Sequence, residues 1–353
     1  MVIFLCEYIT AIGTSPHHPL FHEGSLMLRA VLSDLIRATA IQPLDIILCC
    51  HRHYAQTITP HHAIRIIPIP ANTQDKDGFP SPWHTALQEA DIVIPIAPEH
   101  KDILYRLTHM VEQNHIPLLT SASSAIAIAS SKTKTTRHLL AHHMHAPPII
   151  DMRTSTTSPH THDEETRYCL KPDDGVGCLE SFMAQGYTQL KTMRTDYPSH
   201  IVTLWVEGKS YSLTTLCAYG KAQLITCNRQ HIHIDKETHA ITLEKIDVGI
   251  PCHPQQWQRY QRLADNIAQC MPTLYGFVGI DIIDHDRQCV ITDINPRITT
   301  SYMGLRHIVH HNPCDWLLTL HRTGTLASSY PRPHSTYTIR LKDHAHPPSH
   351  TPS

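Results

Sequence analysis

The sequence predicts an α/β chain: a parallel sheet with covering helices over the first 120 residues, then α+β lobes. Three observations carry this prediction. Residues 1–120 alternate short apolar runs with helical stretches, which is how a parallel sheet flanked by helices reads. From residue 167 strand-like runs dominate. Residues 276–306, GFVGIDIIDHDRQCVITDINPRITTSYMGLR, hold two alternating apolar runs around the polar centre DHDRQ, which is the pattern of a β-hairpin.

Taken in order, residues 2–6 read as a strand, and 24–40 as an amphipathic helix with apolar residues at three-to-four spacing. Strands follow at 45–50, 64–69 and 91–96, then a helix near 99–114 and a strand at 116–119. This half is Rossmann-like in its alternation, but no G-x-G-x-x-G follows its first strand, which argues against a dinucleotide site. Small polar residues at 120–131 mark a boundary. A helix opens at Lys132, with Ser130 or Ser131 as its N-cap. Residues 147–166, rich in Pro, Thr, Ser and His, read as an exposed connection. Strands are expected at 167–171, 188–194, 200–206, 210–217 and 222–227, a helix near 254–270, and the hairpin at 277–295. Five prolines from Pro331 onward make 331–353 a loosely held tail. The expected division is 1–120, 121–200, 201–330 and this tail.

Composition narrows the function. An apolar fraction of 41% against 17% charged residues supports a sizeable core. Lys plus Arg is 29 and Asp plus Glu 31, so the basic excess of a nucleic-acid-binding or membrane-surface protein is missing. The 31 histidines make that balance sensitive to pH. Eleven cysteines without a C-x-x-C pair read as reduced thiols in a cytoplasmic protein. The apolar run Val2 to Cys6 lacks a preceding basic segment and ends at Glu7, too short for a signal peptide or a membrane span.

The hairpin carries the sharpest chemical signal. With its turn centred near Arg287, Asp281 falls directly opposite Asp293, and like charges so placed destabilise a hairpin unless a cation lies between them. Without one, the pKa of one partner should rise. Period-two continuation puts Asn295 and Arg297 on the same face. Hard oxygen donors plus a forked guanidinium are what Mg²⁺ and nucleotide phosphates require; an ordinary surface hairpin is the competing reading. A second signal is CLKPDDGVGCLES at 169–181, where Lys171 enters a loop carrying Gly175 and Gly177. A lysine beside bare backbone N–H groups suits phosphate, although such loops are usually just turns. His-x-His pairs at His51/His53 and His231/His233 have no third metal ligand evident from spacing, and no cysteine sits in an activating pattern.

Lys132 opening a helix, Lys171 before a glycine loop, a strand with W-V-E-G, and D…D-x-N-P-R together resemble the ATP-grasp superfamily over roughly residues 1–330. L-C-E-Y-I-T, E-G-S-L-M-L at 23–28, C-N-R-Q-H-I at 227–232 and N-P-R-I-T-T-S-Y-M-G-L-R are similar to the tyramine–glutamate ligase group of methanofuran biosynthesis. The resemblance implies an ATP-grasp fold behind a Rossmann-like pre-ATP-grasp domain, and a carboxylate–amine ligase working through an acyl phosphate. Lys132 and Lys171 would hold ATP phosphates, and Asp281, Asp293 and Asn295 would hold Mg²⁺ or Mn²⁺. Arg297 would serve the γ-phosphoryl group, the Gly175–Gly177 loop would close over the triphosphate, and adenine would lie near Leu204, Trp205 and Val206.

Arg229 is the expected partner of a substrate carboxylate or phosphate. Asp293 stands where relatives commonly carry Glu, and Thr203 and Ser210 stand where many carry Glu for adenine and ribose. Small-molecule carboxylate and amine substrates, no nucleic acid and no membrane complete the expectation, with a homodimer as the candidate assembly. The competing readings are a peptide or amino-acid ligase of another pathway and a catalytically silent nucleotide-binding subunit.

Overall fold

The structure is a computed structural model that describes residues 1–341 apart from 14–17, 71–72, 76–77, 152–162 and 286–287. Its first sheet is parallel, in the order β3-β2-β1-β4. The strands are β1 (Val2–Glu7), β2 (Asp45–His51), β3 (Ile64–Ile69) and β4 (Ile92–Ile96). Strands β1 and β4 are buried almost throughout because helices cover both faces. Ile3 and Leu5 pack with Leu28 and Leu35 of α2 (Pro19–Ala38), while Phe4 and Cys6 pack with Trp83 of α4 (Pro82–Glu89) and Leu104 of α5 (Ile103–Gln113). Each fully buried Leu or Ile contributes roughly 1.5–3 kcal/mol. Two single-turn helices, α1 (Tyr8–Ala11) and α3 (Arg52–Ala55), follow β1 and β2.

A six-stranded antiparallel sheet forms the second half, in the order β12-β11-β8-β9-β10-β13. Its strands are β8 (Lys209–Ala218), β9 (Lys221–Ile234), β10 (Ile241–Val248), β11 (Gly276–His285), β12 (Gln288–Asn295) and β13 (Tyr337–Arg340). One face packs on α9 (Pro254–Cys270). A small sheet, β6-β5-β7, stands beside it, from β5 (Arg167–Lys171), β6 (Phe182–Gln185) and β7 (Ile201–Leu204). Helices α6 (Ser123–Ala129) and α7 (Lys132–Ala141) precede it. Helices α10 (Tyr302–Ile308) and α11 (Pro313–Thr323) dock on α2, with Tyr302 Oη donating to Asp34 Oδ2 at 3.0 Å and Asn312 Nδ2 to the Asp34 carbonyl at 2.8 Å. One apolar cluster therefore runs from β1 through α2 into α10 and α11.

Several expected elements change. Helix α2 begins at Pro19, five residues before the apolar period becomes clear, because the His18 side chain accepts from Leu20 N and proline opens the first turn. Residues 188–194 are not a strand but lie in α8 (Gly186–Asp196): Tyr187, Leu190 and Met193 recur every three residues and pack on the small sheet. The strand expected at 116–119 shrinks to a single bridge, Leu118 to Val93. The supposed boundary at 120–131 contains α6. The break expected at 200 cuts through the small sheet, since β7 pairs with β5. The tail is anchored, as β13 pairs with β10; residues 342–353 lie outside the described residues, as does most of the connection at 147–166. Among the described residues no helix is long and apolar enough to cross a membrane.

Candidate active site

The hairpin β11–β12 pairs Asp281 with Asp293 and Gly279 with Asn295. The turn itself, at 286–287, lies outside the described residues. Nearer the turn the register is one residue different, His285 with Gln288 and Ile282 with Ile291, and Thr292 is the extra residue that restores it beside the aspartates. A bulge next to a site re-aims side chains. Asp281 also pairs with Ser212 of β8, and Ser212 with Asn228 of β9. One face of the large sheet thus gathers Asp281, Asp293, Asn295, Ser210 and Gln230.

On that face Asp281 accepts from Gln230 Nε2 at 3.0 Å and from Asn295 Nδ2 at 3.2 Å, and Ser210 Oγ donates to Gln230 Oε1 at 2.7 Å. Burial first, and Asp293 second, push the Asp281 carboxyl up to about 7, against the two amide donors. Repulsion alone was the expected cause; withdrawal from water is the larger one. Two carboxylates and an amide oxygen form a hard donor set that suits Mg²⁺ or Mn²⁺.

Lys132 meets this cluster from α7. Its ammonium lies 3.3 Å from Asp293 Oδ2 and donates to the Gly175 carbonyl at 2.6 Å. Burial works against its charge, but Asp293, Glu99 and Asp173 outweigh that and raise its pKa. Asp173 fastens the glycine loop to the start of α7: Ser131 Oγ donates to it at 2.6 Å and Thr133 N at 2.7 Å. Ser131, not Ser130, is the N-cap. Lys171 ends β5 and donates to the Thr292 carbonyl at 3.4 Å. Gly177 adopts φ +60°, where an L side chain is strained. Leu204, Trp205 and Val206 lead from β7 towards β8, the link between the small and large sheets, with Leu204 40% exposed.

The two arginines part company. Arg229 pairs with Tyr211, its guanidinium 5.1 Å over that ring, on the face that packs against α9. It therefore points away from Asp281, because adjacent strand residues face opposite sides. The period-two neighbour Gln230 takes the position on the site's face. Arg297 is held by Glu99, from the segment after β4: Nε donates to Oε1 at 2.9 Å and Nη2 to Oε2 at 2.8 Å. Nη1 donates to the Ile298 carbonyl at 3.1 Å, which among the described residues leaves two of the five guanidinium N–H groups for a ligand.

Arg297 also lines a cavity at the carboxyl ends of β1 and β4, between the first sheet and the glycine loop, with Glu7, Glu23 and Gly177 in its wall. Glu7, Glu23, Glu99, Asp173 and Gln230 were missed in the sequence. Gln230 had a local signal, its alternation with Arg229; Glu99 had none, being 198 residues from its partner. The histidine pairs stay outside the site. His231 Nε2 sits 2.6 Å from Asp247, and the His51 and His53 rings are 5.2 Å apart. Ligand atoms of His138, His142 and Cys270 approach within 4.8 Å of one another, but His138 Nε2 and His142 Nδ1 hydrogen-bond to the backbone carbonyls of Cys270 and His138.

Comparison with known proteins places this geometry. A pre ATP-grasp 3 domain model matches residues 47–126, and an ATP-grasp domain model matches 129–301. A tyramine–L-glutamate ligase of Methanocaldococcus fervens is 25% identical over 315 residues, covering 87% of this chain and 89% of that protein. One of Methanocaldococcus jannaschii is 21% identical over 305 residues, covering 86% and 85%. In fold, the chain is similar to a crystal structure assigned to the ATP-grasp superfamily from Archaeoglobus fulgidus (TM-score 0.68, 17% identity, covering 96% of this chain and 92% of that one). It is also similar to an L-amino acid ligase from Bacillus licheniformis (TM-score 0.64, 13% identity, 96% and 78%). With a parallel-sheet domain in front of two antiparallel lobes, and lysines, aspartates and a glycine loop gathered between them, the chain belongs to the ATP-grasp superfamily.

Proposed function

We propose that this chain is an ATP-dependent C–N ligase that joins glutamate to tyramine, tyrosine or a similar amine in building a methanofuran-like one-carbon carrier. The observation that carries the proposal is the convergence of Lys132, Lys171, Asp281, Asp293, Asn295 and Arg297 on one cleft, in a chain similar along most of its length to tyramine–L-glutamate ligases.

In this reading Lys132 and Lys171 bind the ATP phosphates, exchanging their present carbonyl and carboxylate partners for phosphate oxygens. Asp281, Asp293 and Asn295 would hold Mg²⁺ or Mn²⁺, which supplies charge neutralisation on the phosphates. Asp293 is one methylene shorter than Glu, and Lys132 beside it supplies cationic charge. The substrate carboxylate attacks the γ-phosphoryl group, giving an acyl phosphate and ADP; the two unspent N–H groups of Arg297 orient and stabilise the transferring group. The Gly175–Gly177 loop covers the site and keeps water from the acyl phosphate. Leu204, Trp205 and Val206 receive adenine, and Ser210 holds Gln230 in place. The amine then displaces phosphate to give the amide. Eleven free cysteines suit a reducing cytoplasm, and the partners are small molecules.

The test is phosphate release by the purified chain with ATP and Mg²⁺. Release that requires both glutamate and an aromatic amine, with the amide seen by mass spectrometry, is the expected result. ATP binding without turnover on any carboxylate–amine pair would overturn it and leave a silent nucleotide-binding subunit.

A further inference from the structure

The cavity beside Arg297 lies where the chain order of the parallel sheet reverses. From β1 the chain moves outward to β2 and β3, then returns to the other side of β1 as β4. The carboxyl ends of strands at such a point form a ligand crevice. Here the crevice is walled by the end of β1, by α2 and by the segment after β4, and closed by Val176 and Gly177 of the glycine loop. Its apolar lining includes Ile9, Leu20, Met27 and Ile96.

Its charged groups are unequally occupied. The Glu7 carboxylate caps α1, accepting from Ile9 N at 3.0 Å and Thr10 N at 2.7 Å. Both Glu99 oxygens are taken by Arg297, so that guanidinium arrives already neutralised. The Glu23 carboxylate accepts no hydrogen bond among the described residues. It stands here because Gly24 lets α2 come close to β1: a Cβ at that position would sit 2.7 Å from Glu7 Oε1. A cavity with apolar walls, a spare carboxylate and an arginine whose charge is paired with Glu99 suits an organic cation better than an organic anion.

We propose that this cavity binds the amine substrate, and that Glu23 holds its ammonium group and takes its proton before attack. The proposal rests on the ligase reading. The proton passes from R–NH₃⁺ to the Glu23 carboxylate, giving R–NH₂ and the neutral acid. The freed nitrogen lone pair then forms the C–N bond as the C–O bond to phosphate breaks, and the second proton lost from nitrogen leaves on the released phosphate as HPO₄²⁻. Burial raises the Glu23 pKa, with Glu99 adding and Arg297 opposing, in the direction a proton acceptor needs. The apolar wall accepts the body of an arylalkylamine, whereas the two carboxylates of glutamate would meet Glu7 and Glu23.

Hydroxylamine separates the two readings, because it traps an acyl phosphate as hydroxamate and is itself mostly neutral at pH 7.5. Parent protein with ATP, Mg²⁺ and glutamate should yield hydroxamate with hydroxylamine and amide with tyramine; neither product means that the ligase reading fails. Given hydroxamate from the parent, Glu23→Gln should raise the KM for tyramine at least tenfold and lower the amide-to-hydroxamate ratio at least tenfold, with Glu23→Asp in between. A parental tyramine KM, a loss of hydroxamate in step with amide, or a shift confined to the KM for glutamate would each overturn the assignment. The parent offers a second measurement that needs no variant. The isosteric anion 3-(4-hydroxyphenyl)propanoate should not compete with tyramine, and competition with a constant similar to the tyramine KM would also overturn it.

Discussion

Lys171 and Arg297 are both cations facing the cleft, yet they are held differently and should fail differently. The Lys171 ammonium donates a long 3.4 Å bond to the Thr292 carbonyl. Removing it takes little from the folded chain and one charge-assisted bond from ATP. Lys171→Ala should weaken ATP binding by about 1.5–3 kcal/mol, roughly 10- to 150-fold by calorimetry, at nearly parental melting temperature. Arg297 is bidentate to Glu99 and its side chain is 12% exposed. An ammonium cannot reproduce that fork. Arg297→Lys should therefore lower turnover on the order of 100-fold, with ATP affinity changed less, as expected for a donor whose main partner is the transition state. Near-parental turnover in that variant would remove Arg297 from the phosphoryl site.

The element that matters most is the hairpin. The Asp281–Asp293 pairing depends on two features that compensate: a strand register beyond Ile282 that is one residue out of that needed at the site, and the Thr292 bulge that restores it. The consequence for stability follows from the raised Asp281 carboxyl, at about 7 when folded against about 3.9 unfolded. A folded state that binds its proton more tightly loses stability as pH rises between those values. Asp281→Asn, which does not titrate, should match or exceed the parent's melting temperature at pH 8 without ligand, and lose that advantage near pH 4. Mg²⁺ with ATP should raise the parent's melting temperature by several degrees, and Asp281→Asn or Asp293→Asn should abolish most of the rise. Scanning fluorimetry reads both. A ligand shift that survives both substitutions would remove the pair from the metal site.

Across the whole molecule, cohesion is uneven. The apolar cluster shared by the parallel sheet, α10, α11 and the large sheet joins these parts into one body. The three-stranded sheet has its own small core of Tyr168, Leu170, Ala184, Leu190 and Val202. Its links to the rest of the molecule are hydrogen bonds more than apolar packing, among them the Asp173 bonds to α7, the Lys171 contact with Thr292 and the Ile241 N–H to the Ser181 carbonyl. Low local packing corresponds to low local unfolding free energy. Amides of β5, β6 and β7 should therefore exchange faster than those of β8 and β11, and MgATP should slow them by at least tenfold in hydrogen-exchange mass spectrometry. Equal protection of the two sheets without ligand would contradict this.

How much of this was readable from residue order depends on how far each interaction reaches along the chain. The parallel strands and α9 were legible because they repeat at strand or helix period within a few residues, and α9 runs from Pro254 to Cys270 as read. The opposition of Asp281 and Asp293 was read correctly, but it holds because the bulge at Thr292, which no local pattern signalled, offsets a one-residue difference in register nearer the turn. Residues 188–194 misled because apolar side chains at every third position sit among polar ones over a span too short to separate strand from helix. Arg229 misled because the face of β9 that meets the site is set by β8 lying between it and β11, and β11 is distant in sequence. The Glu99–Arg297 pair and the Glu7–Glu23 cavity lay beyond any local rule. They exist because β1, α2, β4 and the end of β12 converge in space, and that convergence is decided by the packing of sheets and helices, not by the order of residues along any one of them.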